Sequence, residues 1–287
     1  MKDLTVHLVV LGALLGGAAL FSPRAALAGE QPMTVSGDAW QRPEEIYGFE
    51  IVRASLAFDA GFRFFGYNDG LSSNLRSYEI LGAPGLAADV ELFPFAPLGF
   101  MVLRDLGVTA EVRYQPGISS ETTSGTALGT EWLRFGGGLR YRLPIDLGRD
   151  DKTPLVFGVR GGFHQDRFVI DSAPEVAGET PSVKYTFVSV GLDGRFPLGP
   201  VALFAYGDYL GATDSGEVHD RFRDPSIGGI DVGGGLAIPL VRGLELRVSA
   251  EYIRWFYAFG PVPGDSYVAG GALDEFVHLE GGLGYVY

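Results

Sequence analysis

From Val52 the chain alternates with a period of two. Val52, Ala54, Leu56, Phe58, Ala60, Phe62 and Phe64 fall on one side of an extended strand. Arg53, Ser55, Ala57, Asp59, Gly61 and Arg63 fall on the other. The alternation outlasts an ordinary strand of about 5–6 residues and reaches the roughly 9–11 that a tilted strand needs to cross a bilayer.

The same pattern recurs over residues 78–92, 106–115, 132–143, 155–166, 183–196, 201–210, 230–240, 244–256 and about 275–287. In each stretch one face is apolar. The other face carries Asp89 and Glu91 in the second stretch, Glu111 and Arg113 in the third, and Arg134, Arg140 and Arg142 in the fourth. It carries Arg160, His164 and Asp166 in the fifth, Asp193 and Arg195 in the sixth, and Asp208 in the seventh. The eighth opposes Ile230, Val232, Leu236 and Ile238 with Asp231 and several glycines. Glu245, Arg247 and Glu251 follow in the ninth stretch, and His278 and Glu280 in the last. The pattern predicts ten strands, with eight or twelve as alternatives.

The connections alternate in kind. Long polar or glycine-rich segments (66–77, 116–129, 167–182, 211–229, 258–273) follow the odd strands. Mostly shorter, proline-bearing ones (94–105, 144–154, 197–200, 239–243) follow the even strands. That order predicts an all-β, antiparallel up-and-down meander closed into a barrel. A repeat supports it: Gly137-Gly138-Leu139-Arg140-Tyr141-Arg142-Leu143-Pro144 resembles Gly191-Leu192-Asp193-Gly194-Arg195-Phe196-Pro197 and Gly234-Gly235-Leu236-Ala237-Ile238-Pro239, one copy per hairpin. A propeller blade has a similar period but needs four short strands in it, where two long ones are counted here.

Alternation by itself does not say which face meets water. Three features place the apolar face outward, in a bilayer. The strands are long enough to cross. Aromatic residues gather near strand ends (Phe93, Phe95, Phe100, Trp132, Tyr141, Phe196, Tyr209, Trp255, Phe256, Tyr257 and Tyr285), as interface girdles do. The polar face holds arginines and carboxylates together, which a narrow lumen requires because an unpaired charge there is costly.

The N-terminus alters the domain picture. Lys2, an apolar run from Leu8 to Phe21, a Pro23-Arg24 break and Ala26-Leu27-Ala28 form the parts of a secretory signal peptide. The run is shorter than the roughly 20 residues of a spanning helix. The expected organisation is a cleaved signal at 1–28, a periplasmic lead-in at 29–48 and the barrel at 49–287.

Composition narrows the function classes. A formal net charge of −13 argues against nucleic-acid partners. With no cysteine there is no disulfide, thiol nucleophile or thiolate metal site. Phosphate-cradle, zinc-protease, nucleophile-elbow and calcium-loop patterns are missing from the sequence, so no cofactor is expected. His164 with Asp166, and His278 with Glu280, could do acid–base work; lumen hydrogen bonding is the plainer reading of both. His219-Asp220, in an acidic loop with Asp214, Glu217 and Asp224, reads as solvated charge before it reads as a cation site.

The signal pattern, the alternating strands and the terminal Leu283-x-Tyr285-x-Tyr287 together resemble the bacterial outer-membrane β-barrel family. The resemblance covers about residues 48–287. It implies a Gram-negative outer membrane, with lipid bilayer and lipopolysaccharide around a monomeric barrel. It implies a periplasmic N-terminus and extracellular long loops. It also implies that the barrel-assembly machinery reads Leu283, Tyr285 and Tyr287. The expected role is structural, at the cell surface, or narrow small-solute passage, and not enzymatic. Two alternatives stand beside it: an omptin-like or lipid-modifying enzyme, whose Asp–Asp and Asp–His pairs find no matching set here, and a secreted soluble barrel holding an apolar ligand.

Overall fold

A computed structural model describes residues 47–72, 75–98, 102–121, 127–146, 154–171, 182–241 and 243–287. The signal-peptide assignment, nearly all of the lead-in, and Phe100 lie outside the described residues.

Ten strands form one closed antiparallel barrel in which each strand pairs with its neighbours in sequence and the last pairs with the first. They are β1 (Val52–Asn68), β2 (Tyr78–Leu92), β3 (Leu106–Glu121), β4 (Ala127–Ile145), β5 (Leu155–Ile170), β6 (Val183–Leu198), β7 (Val201–Gly216), β8 (Ser226–Pro239), β9 (Leu244–Ala258) and β10 (Gly271–Val286). A short helix, α1 (Glu217–Arg221), sits between β7 and β8. Among the described residues no helix is long and apolar enough to cross a membrane.

Most strands run further toward the loop end than the alternation suggests. β3 and β4 continue through much of 116–129, and β7 reaches Gly216, both of which read as loop from composition. Register shifts explain the difference. The β3–β4 pairing slips between Gln115 and Ile118 around Pro116 and Gly117, and the β6–β7 pairing slips near Thr186. A slip breaks the period-two signal while the strand goes on. At the opposite end β6 turns into β7 between Leu198 and Val201, where Gly199 takes φ +66. That is the sign the first central position of a tight type II′ hairpin turn needs.

Closure is tight at the chain end. The N–H groups of Ile51 and Val52 both donate to the Tyr287 carbonyl, at 2.6 and 2.9 Å, and the Tyr287 N–H returns to the Val52 carbonyl at 2.9 Å. Leu56 pairs with Leu283 and Ala54 with Tyr285 along the seam.

The sidedness is inverted relative to a water-soluble barrel. Leu56, Phe58, Val190 and Leu192 are exposed on the outer wall at 61, 77, 60 and 63%. Arg63 and Arg142 are among the largest fully buried side chains. An apolar belt running round all ten strands is far beyond the few hundred Å² that soluble surfaces leave exposed, and it suits hydrocarbon. At about 3.3 Å per residue and a tilt near 40°, strands of 14–19 residues rise on the order of 40 Å. The apolar belt of a membrane barrel is about 25 Å tall. The barrel therefore projects past its belt at the loop end, where Glu79, Glu131, Arg167, Lys184, Arg254 and Glu275 replace the apolar outward residues.

The assignment of the strand-end aromatics to interface girdles holds only in part. Tyr209, Phe256 and Tyr285 do face outward. Trp132, Trp255, Phe93 and Tyr257 are buried inside the barrel, at 0, 0, 0 and 6% exposure. Parity explains it: Trp132 shares a face with Arg134, and Trp255 and Tyr257 share one with Glu251.

Candidate functional site: a charged lumen

The inward faces of the strands carry the chemistry, arranged in three layers along the barrel axis.

At the turn end, Tyr47 and Glu50, just ahead of β1, fill the mouth and are each 1% exposed. Arg142 holds Glu50 twice, with Nη1 3.1 Å from Oε2 and 2.9 Å from the carbonyl oxygen. Its Nε donates to Asp105 at 3.1 Å, and its guanidinium lies 3.9 Å over the Phe93 ring. The Arg195 guanidinium stacks 3.5 Å over Tyr47 and donates to Glu245 at 3.1 Å. Arg53 donates to the Tyr47 hydroxyl and to Glu91.

The middle layer is an alternating field of arginines and carboxylates around a cavity of about 200 Å³. Arg134 is its hub, donating to Glu111 at 3.0 Å, Glu251 at 3.1 Å and Asp231 at 3.0 Å. Arg113 donates to Glu251 and Glu280. Arg140 bridges Asp193 at 2.9 Å and Glu91 at 3.0 Å. Arg160 donates to Asp208 at 2.9 Å and lies 4.1 Å over Tyr206. Arg247 is 3.6 Å from Asp89, which accepts from Ser55. Cation and anion are close enough throughout for their attraction to offset much of the desolvation cost.

At the loop end the lumen is apolar and aromatic. Tyr185 stacks on Trp255 at 4.3 Å, and Trp132 meets Phe168 and Phe276 at 5.6 and 5.5 Å. Threaded through this layer is a polar chain. Tyr257 donates to Tyr185 at 2.5 Å, Tyr185 donates to Asp274 at 2.6 Å, and Asp274 accepts two bonds from Arg63. Beyond it Phe222 and Phe259 stack at 4.0 Å.

The two histidine pairs read from the sequence re-partner. Nδ1 of His164 lies 3.0 Å from Glu111 and Nε2 lies 3.0 Å from Ser189. Asp166 faces inward beside them, buried, as the register partner of Arg134. Nδ1 of His278 lies 3.0 Å from Asp59, which also accepts from Gln115. Both partners are buried beneath Trp132. Glu280 turns to Arg113 and Ser249. His164 reaches Glu111 two strands away because Gly136, in register between them, has no side chain, and His278 reaches Asp59 diagonally across the β1–β10 seam past Gly61. Among the described residues no cluster suited to holding a metal ion is found, at His219-Asp220 or elsewhere.

Some of the network lay outside the sequence-based set. Asp231, placed by the alternation on the polar face among glycines, accepts from the hub arginine Arg134, a partnership that the alternation does not show. Asp274 has the parity of His278, and starting the last strand a few residues earlier finds it. Glu50 and Asp105 precede strands and carry no period-two signal. Outside the spans, the Asp265 carboxyl is held below the usual aspartate range, first by the Val262 N–H and then by Arg223.

No protein-family model and no curated protein matches this chain. Solved structures do match in fold. The outer membrane protease OmpT from Escherichia coli is 11% identical over 82% of this chain and 96% of its own, with a TM-score of 0.43. The outer membrane protein AlkL, solved in lipid bilayers, is 12% identical over 91% and 97%, with a TM-score of 0.34. A Pseudomonas aeruginosa FadL homologue is 9% identical over 82% and 90%, with a TM-score of 0.33.

Proposed function

We propose that this protein is an integral outer-membrane barrel whose work is structural and at the cell surface, with its lumen closed to through-passage. The carrying observation is the pair of seals: Tyr47, Glu50, Arg142 and Phe93 at the turn end, and the Trp132–Phe168–Phe276 and Tyr185–Trp255 stacks at the loop end. Between them lies the charged cavity of about 200 Å³. A ten-stranded barrel is narrow enough for side chains to fill much of it, and here they crowd both ends around that cavity. The same seals bear on the enzyme reading. The buried His278–Asp59 pair has no open route to a macromolecular substrate. The turn end would face the periplasm and the taller loop end the outside, as short turns and long loops do in such barrels.

Refolded protein in a planar bilayer tests this reading. Insertion without discrete conductance steps is expected. Regular single-channel openings of the unmodified chain would replace it with small-solute passage. Recovery of the mature protein in the aqueous phase without detergent would overturn the membrane assignment itself.

A further inference from the structure

Three outward-facing register pairs climb the wall between β5 and β6. Phe163 faces Val188, Gln165 faces Thr186, and Arg167 faces Lys184. Phe163 and Val188 belong to the exposed apolar belt. Gln165 donates to the Thr186 hydroxyl at 3.3 Å. Two cations then stand directly opposite one another just past the belt.

Like charges in direct cross-strand register destabilise a sheet. The inward-facing arginines of the strands each have a carboxylate partner. Among the described residues no carboxylate comes within ion-pair distance of Arg167 or Lys184. The Arg167 Nε is buried and has no hydrogen-bond partner. The acidic residues nearest in register are Glu131 on β4, opposite Val169, and Asp214 on β7, opposite Thr186. Asp214 is already engaged by the Gly216 N–H at 3.0 Å.

We propose that this column is a binding site for a phosphate-bearing membrane lipid. The acyl chains lie on Phe163 and Val188, the ester or sugar zone meets Gln165 and Thr186, and the phosphate bridges Arg167 and Lys184. The step from Phe163 to Arg167 is about 13 Å along the strand, which suits the distance from hydrocarbon to head group in a tilted barrel. A phosphate between the two cations converts their repulsion into charge-assisted hydrogen bonds, and arginine presents a fork that fits it. Both cations sit on the outer wall, clear of the charged lumen. The inference rests on the bilayer reading and adds to it a specific lipid chemistry.

The test is native mass spectrometry of the refolded protein, in detergent, with defined lipids added. The probes are a phosphorylated lipid A, its dephosphorylated form, phosphatidylglycerol and an uncharged diacylglycerol. The unmodified protein should retain the phosphorylated lipids over the uncharged ones, and the order of lipid A and phosphatidylglycerol identifies the source. A basic residue beside an anionic surface contributes about fivefold in affinity, so R167Q/K184Q should lose about thirtyfold for phosphorylated lipid. It should lose nothing for diacylglycerol, and the swap R167K/K184R should keep most of the binding. Equal retention of phosphorylated and uncharged lipids by the unmodified protein overturns the site, and that arm needs no variant to fold. Unchanged binding by a folded R167Q/K184Q does the same. A protein that inserts into vesicles without preferring phosphate loses this site and keeps the membrane reading. One that stays aqueous loses both.

Discussion

Arg63 and Asp274 meet across the seam that joins the first and last strands. Nε and Nη2 of the arginine donate to the two carboxylate oxygens at 2.9 and 2.8 Å, and neither side chain reaches solvent. Removing one partner leaves the other charge buried and uncompensated, which costs about 3–5 kcal/mol. D274N should therefore lower the urea midpoint of the micelle-refolded barrel sharply. R63M/D274L, which replaces both charges with apolar volume, should recover more than half of that loss. A D274N barrel as stable as the parent would mean that the pair does not hold the seam.

The two seals act in series, which makes a factorial experiment decisive. Y47A/E50A opens the turn-end mouth only and should remain electrically silent. W132A/W255A thins the loop-end stack only and should also remain silent. Combining all four should give discrete openings in a planar bilayer. Conductance from either pair alone would show that the other end is already open.

Gly136 has no side chain because His164 occupies the space: a Cβ there would lie 2.0 Å from the histidine Nδ1. G136A should push His164 off Glu111 and loosen the carboxylate's hold on Arg134. A cost of about 1–3 kcal/mol is expected, as for other overpacked interiors. The His164 ring resonances should shift with it. An unaltered His164 spectrum would count against the contact.

Barrel closure and the assembly signal expected of Leu283, Tyr285 and Tyr287 separate by variant. Deleting Tyr285–Tyr287 removes the closing bonds to Ile51 and Val52 and should abolish the heat-modifiable barrel both in micelles and in cells. Y287A keeps those backbone bonds. It should refold normally in micelles yet assemble poorly in the outer membrane if the terminal aromatic is an assembly signal. Normal assembly of Y287A in cells would assign the residue to closure alone.

The β9–β10 loop is tied to the β7–β8 connection by Arg223 and Asp265, 3.2 Å apart. Because the folded-state aspartate titrates below its ordinary value of 3.8, the tie is present above that value and is lost as pH falls through the lower one. Hydrogen exchange around Val262 should be flat from neutral pH down to about 5, after correction for intrinsic rates, and rise only in stronger acid. D265N should show the acid behaviour at neutral pH.

Ten strands, their order and most of their inward and outward faces were legible in the chain because period-two alternation is a local property; in β2 the register shift opposite Gly61–Arg63 turns Tyr78 and Ile80 inward and Glu79 outward, the reverse of the alternation carried through from Leu86. Each residue's side of the wall follows from its neighbours two positions away. The interface assignment of Trp132, Trp255 and Tyr257 failed where residue type was allowed to outrank that parity. Extra strand length at the loop end was hidden wherever a bulge at Pro116–Gly117 or near Thr186 reset the period.

Which charges meet is a different matter. Arg134 finds Asp231 and Glu251, Arg113 finds Glu280, and Arg63 finds Asp274, all from distant parts of the chain. The sequence by itself determined that arginines and carboxylates would share one face of a membrane-length barrel. Only closure of the ten strands decided the partners and the packing of Tyr47 and Glu50 into the turn-end mouth. Partner choice depends on barrel register and on distances across the lumen, and those exist only once the last strand is bonded to the first.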